Sequence, residues 1–107
     1  MKLEAGQFVR TKDGEIHKIK SINDEYIEYE NGFGIPYELK EYIVKASYNI
    51  IDILEVGDYV NGNEVFTLID EQIPKLVATE SGCLCNKDIK TIVTHEQMEQ
   101  MAYKVVE

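Results

Sequence analysis

Few side chains of this sequence are suited to covalent or metal chemistry. The two cysteines, Cys83 and Cys85, are separated by one residue, and the two histidines, His17 and His95, lie far apart in the chain. A closed zinc site takes four ligands, so the cysteine pair needs two more from distant residues. Neither histidine lies beside a serine or cysteine in a known nucleophile motif. The sequence therefore predicts no catalytic residue, no metal and no cofactor.

A disulfide between Cys83 and Cys85 would close a very small strained ring, so we expect free thiols in a reducing compartment. Zinc binding or a redox role is the alternative for this pair. Neighbouring carboxylates occur at Asp24-Glu25 and Asp70-Glu71, where turns are expected, and solvated charge is favoured there over acid–base catalysis. No glycine-rich phosphate loop precedes a helix.

Charge separates the two halves of the chain. Eleven Lys and Arg stand against twenty Asp and Glu, which gives a net charge of −9. Residues 1–50 contain seven basic and nine acidic side chains, whereas residues 51–107 contain four and eleven. Phosphate backbones are repelled by such a surface, so direct nucleic-acid binding is disfavoured. A protein partner with a basic surface is favoured instead.

The predicted binding residues on this acidic half are Asp52, Glu55, Asp58, Glu64, Asp70 and Glu71. The other interpretation is that they only keep the protein soluble. A second candidate region is aromatic and comprises Tyr26, Tyr29, Phe33, Tyr37 and Tyr42. Such rings serve in cores and in contact surfaces. Within this region Tyr26 and Phe33 are the predicted binding residues, because Phe33 lies between two glycines.

An internal repeat indicates which elements position these side chains. Residues 3–9 (LEAGQFV) return as residues 54–60 (LEVGDYV), with four identities and an aromatic residue kept in place. Further matches pair Glu15-Ile16 with Glu64-Val65, Ile19 with Leu68, Gly32 with Gly82, and Ile43-Val44 with Ile92-Val93. Two copies of one supersecondary unit are predicted, at residues 1–47 and 48–107.

Each copy has the turn signals of short β-strands, such as Asp13-Gly14 and Asn61-Gly62. About five strands per copy predict a mostly β fold with two tandem SH3-like small barrels, which share an interface because each is too small for a full core. One short C-terminal helix is predicted at residues 94–102, since Thr94 and Gln97 form a capping-box pattern. Its stripe of Met98, Met101, Ala102 and Val105 is predicted to cover the open end of the second barrel, with an adaptable binding face as the alternative.

Two resemblances add to this interpretation. Residues 56–62 (VGDYVNG) resemble the first strand of SH3-like barrels of the KOW type, which are usually basic, whereas this chain is acidic. Residues 49–62, 89–97 and 103–105 resemble small phage and prophage proteins of low-GC Gram-positive bacteria, a group without assigned chemistry. That resemblance implies a genomic setting and no particular site residues.

The leading expectation is a non-enzymatic phage accessory protein that binds and inhibits or modulates a host protein, for example as an anti-defence factor of the anti-CRISPR type. The alternative is a nucleic-acid-associated SH3-like module that uses a basic stripe of Arg10, Lys12, Lys18 and Lys20. A small enzyme or a small-ligand-binding protein is a third interpretation. Because no membrane segment or signal peptide is evident, we expect a cytoplasmic protein, and a homo-oligomer is compatible with the sequence.

Overall fold

The computed structural model of this chain describes residues 1–105, which form two compact units. The first unit comprises Met1–Ile53, and the second begins at Leu54. This boundary lies later in the chain than the 47/48 boundary predicted from the repeat. The intervening residues belong to the first unit, where Ile51 and Ile53 are buried.

The first unit is an antiparallel meander whose last strand returns to the first. Its strands are β1 (Phe8–Thr11), β2 (Ile16–Ile22), β3 (Tyr26–Tyr29), β4 (Gly34–Pro36) and β5 (Ile43–Ser47). The order across the sheet is β4-β3-β2-β1-β5. A 3-10 helix at Tyr37–Tyr42 joins β4 to β5, and another at Ile50–Ile53 follows β5.

Alternation along these strands builds the core of the first unit. Successive residues of a strand face opposite sides, so every second side chain turns inward. The buried cluster consists of Val9, Ile19, Ile27, Tyr29 and Ile43. Each fully buried aliphatic side chain contributes about 1.5–3 kcal/mol of transfer free energy, and together they hold the five strands in register.

The second unit repeats this topology. Its strands are β6 (Tyr59–Val60), β7 (Asn63–Ile69), β8 (Leu76–Thr79), β9 (Gly82–Cys85) and β10 (Ile92–Val93). The order is β10-β6-β7-β8-β9, which matches the first unit strand for strand. A 3-10 helix at Asn86–Asp88 precedes the last strand, and helix α1 (His95–Met101) follows it.

The mostly β fold with five strands per copy and one short C-terminal helix is confirmed, but the closed barrels are not. Each sheet is open, with β4 and β5 at the edges of one and β9 and β10 at the edges of the other. The chain reaches β5 and β10 through a 3-10 helix, and each of these strands pairs with the first strand of its unit. Within the described residues no ladder joins β4 to β5 or β9 to β10, so neither sheet closes on itself.

The two copies correspond, although partly in a different alignment from the predicted one. The N–H of Ile19 donates to the carbonyl of Gln7 at 2.9 Å, and the N–H of Val65 donates to the carbonyl of Asp58 at 2.8 Å. Ile19 therefore corresponds to Val65 rather than to Leu68. The connection from β1 to β2 is longer than the Asn61-Gly62 turn, and this length difference shifts the alignment.

The predicted match of Gly32 with Gly82 holds in the structure. Gly32 lies in the turn between β3 and β4, and Gly82 follows the turn after β8 as the first residue of β9; their φ angles of +91° and +114° favour glycine. A β-bulge also recurs. The register of β2 against β3 shifts between Ile19 and Ser21, and that of β7 against β8 shifts between Val65 and Thr67.

Helix α1 begins as predicted from its capping box. The Thr94 side chain accepts from the N–H of Gln97 at 3.3 Å, and the Gln97 side chain accepts from the N–H of Thr94 at 3.0 Å. The prediction for its methionine stripe is wrong, because no residue of the helix is buried and Met101 is 68% exposed. The helix ends at Met101, and the extended backbone of Ala102 carries Val105 away from the stripe. No helix within residues 1–105 has the length and apolar character required to cross a membrane.

Candidate functional site

The recurring heptapeptide folds into the same side-chain-capped turn in both units. Gln7 accepts from the N–H of Glu4 at 2.8 Å, and Asp58 accepts from the N–H of Glu55 at 2.7 Å. The glycine between them has a φ of +91° at Gly6 and of +95° at Gly57. The turn therefore requires a positive-φ glycine and a side-chain acceptor three residues after the backbone N–H that it caps.

A ring from the segment after the last strand covers each of these glycines. A Cβ placed on Gly6 would lie 3.5 Å from the Tyr48 ring, and one on Gly57 would lie 3.5 Å from the His95 side chain. In the first unit the Tyr48 hydroxyl bonds to Glu4. Partial desolvation raises the pKa of Tyr48, and the charge of Glu4 and this hydrogen bond raise it further.

In the second unit the covering ring is an imidazole that lies between two carboxylates. His95 Nε2 is 2.7 Å from Glu55 Oε1 and 3.4 Å from Glu96 Oε1. All three side chains are partly buried, and their potential ligand atoms lie within 4.8 Å of one another. We call these residues the Glu55–His95–Glu96 cluster. Glu55 was predicted as a binding residue, whereas His95 was considered only as an isolated histidine and Glu96 was not singled out.

Asp58 positions this cluster from inside the unit. Its side chain is fully buried, at 0% exposure. One carboxylate oxygen accepts from the N–H of Glu55 at 2.7 Å and the other accepts from the N–H of His95 at 3.0 Å. Asp58 was predicted as a residue that contacts a partner. Its carboxylate instead fixes the backbone at two members of the cluster.

The remaining predicted carboxylates differ in their surroundings. Asp52 belongs to the first unit and accepts from the Ser47 hydroxyl at 2.6 Å. Glu64, Asp70 and Glu71 are exposed, on β7 and on the connection from β7 to β8. Of the six predicted carboxylates, these three are the exposed ones.

Apolar side chains accompany these exposed acids. On β7, Phe66 is 51% exposed and Leu68 is also exposed, and on the following connection Ile73 is 99% exposed. Phe66 is the extra residue of the bulge in β7, and Lys20 is the extra residue at the corresponding bulge in β2. Bulges re-aim a side chain away from the regular alternation. The fold therefore accepts a lysine at this position, and an exposed phenylalanine there is not a requirement of the sheet. We call Glu64, Phe66, Leu68, Asp70, Glu71 and Ile73 the β7 surface.

The aromatic region of the first unit divides into core and surface residues. Tyr29 is buried and stacks on His17, with ring centroids 4.2 Å apart. Tyr37 packs against the same core. Tyr26 and Phe33, the predicted binding residues of this region, are exposed on β3 and on the turn that follows it.

Arg10 does not belong to an exposed basic stripe on the first unit. Arg10 is fully buried and donates from Nη1 to the carbonyl of Ile53 at 3.0 Å, so it cannot present a charge to a phosphate backbone. The Lys18 ammonium lies over the Phe8 ring at 5.3 Å, and Lys12 and Lys20 are exposed. Sequence position alone placed Arg10 with these lysines. In the structure Arg10 lies on the side of β1 opposite Val9, and that side is also buried, where Arg10 meets Ile53.

The two cysteines are free thiols on β9. Cys83 is exposed, and Cys85 is partly buried with its sulfur 3.1 Å from a carboxylate oxygen of Asp88. This contact and a backbone hydrogen bond from Cys85 lower the pKa of Asp88. The contacts between Cys85 and Asp88 therefore cap the start of the 3-10 helix that precedes β10.

Comparison of the chain with protein-family models, with curated proteins and with solved structures found no significant match. The functional proposals below therefore depend on the residues and geometry of this chain.

Proposed function

We propose that this chain is a non-enzymatic binding protein of two SH3-like units, and that the β7 surface contacts a partner protein. The glycine-led first strand, the tight Asn61-Gly62 turn and the return of the fifth strand to the first support the SH3-like relationship. The observation that carries the binding function is the exposure of Phe66 and Ile73 on the same strand and connection as the exposed Glu64, Asp70 and Glu71.

This combination matches the anatomy of a protein interface. Apolar and aromatic side chains at the centre of an interface contribute most of the affinity when they are desolvated. Charged residues around them orient the encounter and accelerate it. An apolar patch with acidic neighbours therefore fits a partner with an apolar pocket and a basic rim.

The resemblance to phage and prophage proteins supports a bacterial cytoplasm as the setting and a host protein as the partner. Binding would inhibit or modulate that host protein, as an anti-defence factor does. The nucleic-acid alternative has less support, because Arg10 is buried and only Lys12, Lys18 and Lys20 remain for it.

The test begins with the partner recovered from host lysate by affinity capture and identified by mass spectrometry. Binding kinetics are then measured for Phe66→Lys, which introduces the residue type that the first unit carries at the corresponding bulge. We expect affinity to fall at least about tenfold, because a central apolar contact is replaced by a charge. The control is Phe33→Lys, the same substitution at an exposed aromatic residue of the first unit.

A second pair of variants tests the charge contribution. Glu64→Gln/Asp70→Asn/Glu71→Gln should lower the association rate and its salt dependence. The control Asp24→Asn/Glu25→Gln/Glu38→Gln makes the same change of charge at exposed residues of the first unit. If Phe33→Lys weakened binding and Phe66→Lys did not, the aromatic region with Tyr26 and Phe33 would be the contact surface instead.

The interface predicted between the two units is a separate proposal. It is tested by comparing the unfolding of residues 1–53 with that of the full chain. If the units stabilise one another, the isolated segment unfolds at a lower urea concentration. Identical midpoints would indicate that each unit is stable independently.

A further inference from the structure

The Glu55–His95–Glu96 cluster combines an imidazole nitrogen with oxygens from two carboxylates. We propose that it binds a divalent transition-metal ion of the zinc class. Zinc is held in proteins by histidine nitrogen and carboxylate oxygen, and three protein ligands with a water in the fourth position form an open site. This inference goes beyond the proposed binding function and does not depend on it.

One distance in the cluster already matches a small tetrahedral ion, and the other needs a side-chain rotation. With metal–ligand bonds of about 2.0–2.2 Å, neighbouring ligand atoms of a tetrahedron lie roughly 3.4 Å apart. His95 Nε2 and Glu96 Oε1 are separated by 3.4 Å. His95 Nε2 and Glu55 Oε1 are separated by 2.7 Å, which is a hydrogen-bond distance. The ion would replace the shared proton, and a small rotation of the Glu55 side chain would open that distance.

The backbone that carries these ligands is fixed by neighbouring groups. Asp58 accepts hydrogen bonds from the N–H groups of both Glu55 and His95. The reciprocal bonds between Thr94 and Gln97 fix the start of α1, on which His95 and Glu96 are the first two residues. Only side-chain torsions remain to be ordered when the ion binds, which lowers the cost of assembling the site.

The donor set also selects among ions. Calcium prefers six to eight oxygen ligands and magnesium prefers an octahedral oxygen site, whereas imidazole favours zinc, cobalt, nickel and copper. A histidine with two carboxylates therefore favours the transition metals. The proposal predicts weak or no binding of magnesium and calcium.

The first unit provides two internal comparisons. At the corresponding turn, Tyr48 covers Gly6 and bonds to Glu4, and a neutral phenol is a poor metal ligand. Elsewhere in that unit, His17 Nε2 lies 2.8 Å from Glu15 Oε1. This pair reproduces the His95–Glu55 distance and serves as a matched control in which one histidine meets one carboxylate.

The test uses the full chain after removal of metal with a chelator, in a Cys83→Ser/Cys85→Ser background that removes the thiols as competing ligands. Isothermal titration with Zn²⁺ and visible absorption with Co²⁺ measure the stoichiometry and the ligand geometry. We expect one ion per chain, a tetrahedral cobalt spectrum and a higher thermal unfolding midpoint with zinc.

Two variants in this background assign the site. His95→Asn and Glu96→Gln should each weaken zinc binding by tenfold or more, whereas His17→Asn should leave it unchanged. Glu96→Gln keeps the ring over Gly57, so it remains informative if His95→Asn fails to fold. The proposal is overturned if zinc does not bind, or if it binds with an affinity that Glu96→Gln does not alter.

Discussion

A carboxylate oxygen of Asp58 accepts a hydrogen bond from the backbone N–H of His95 at 3.0 Å, and this bond ties the turn before β6 to the first residue of α1. The other oxygen accepts from the N–H of Glu55. Asp58→Asn replaces one of these acceptor oxygens with an NH2 group that cannot accept, at a site with no exposure. We expect a loss of about 3 kcal/mol in the free energy of unfolding, measured by urea denaturation. Glu64→Gln, at an exposed carboxylate, is the control and should change stability by less than about 0.5 kcal/mol.

Removal of the helix cap should be measurable separately. Thr94→Ala deletes the hydroxyl that accepts from the N–H of Gln97, and the cost should be about 1 kcal/mol. Thr91→Ala, three residues earlier at an exposed residue, should cost less. Equal losses for the two variants in chemical denaturation would argue against a specific contribution of the cap.

Tyr29 and Tyr42 should respond in opposite ways to loss of the hydroxyl group. Within residues 1–105 the buried Tyr29 hydroxyl has no hydrogen-bond partner, and burial raises the pKa of Tyr29. Tyr29→Phe should therefore preserve stability or increase it by up to about 1 kcal/mol, because no bond is lost and a desolvated polar group is removed. Tyr42→Phe should destabilise, because the Tyr42 hydroxyl bonds to Asp13. A clear loss of stability in Tyr29→Phe would contradict this assignment.

Asp13 should make folding sensitive to acid. A hydrogen bond from Thr11 is the largest influence, and with the bond from Tyr42 it holds the pKa of Asp13 below its ordinary value of 3.8. The stabilisation is therefore present above pH 3.8 and is lost as the pH falls through the lowered folded-state value. When the urea midpoint is measured as a function of pH, Asp13→Asn should reduce the loss of stability at acid pH, which we call the acid limb of the profile.

The hydrogen bond between Tyr42 and Asp13 should also affect stability at alkaline pH, where Tyr42 ionises. Its bond to Asp13 is the largest cause that raises the pKa of Tyr42 above 10.0. The stabilisation is present below pH 10 and is lost as the pH rises through the raised folded-state value. In Asp13→Asn the alkaline limb should change together with the acid limb. A change confined to one limb would indicate that the two groups do not share the bond.

Local signals in the sequence predicted much of the fold. Asp13-Gly14 and Asn61-Gly62 mark turns, Thr94 with Gln97 marks the start of α1, and the repeat predicts two related units. The alignment of the repeat failed at the second strand, because the copies differ in the length of the connection before it, but it holds again at Gly32 and Gly82. The 3-10 helix at Tyr37–Tyr42 was missed, since so short a helix has too few residues to display a periodic pattern.

The candidate sites were harder to predict, because burial depends on pairing between distant strands. Asp58 and Arg10 carry charges that composition assigns to the surface, yet both are buried. His95 and Glu55 are forty positions apart and meet because Val93 pairs with Tyr59. The repeat offered one signal for the site. In both copies a ring that follows the last strand lies over the glycine of the recurring heptapeptide, Tyr48 over Gly6 and His95 over Gly57. Phe66 could not be identified as exposed without the position of the bulge.

The pairing of the first and last strands in each unit has a consequence for the history of this chain. Phe8 is paired with Ser47, and Tyr59 with Val93, so the polypeptide comes into each unit and leaves it at adjacent positions. A gene segment that encodes such a unit can be duplicated in frame, because the new copy starts beside the point where the old one stops and no strand pairing is interrupted. Tandem duplication is consistent with two units of one topology in which Tyr48 lies over Gly6 in one copy and His95 lies over Gly57 in the other. The same geometry makes each unit a candidate for circular permutation by joining its neighbouring ends.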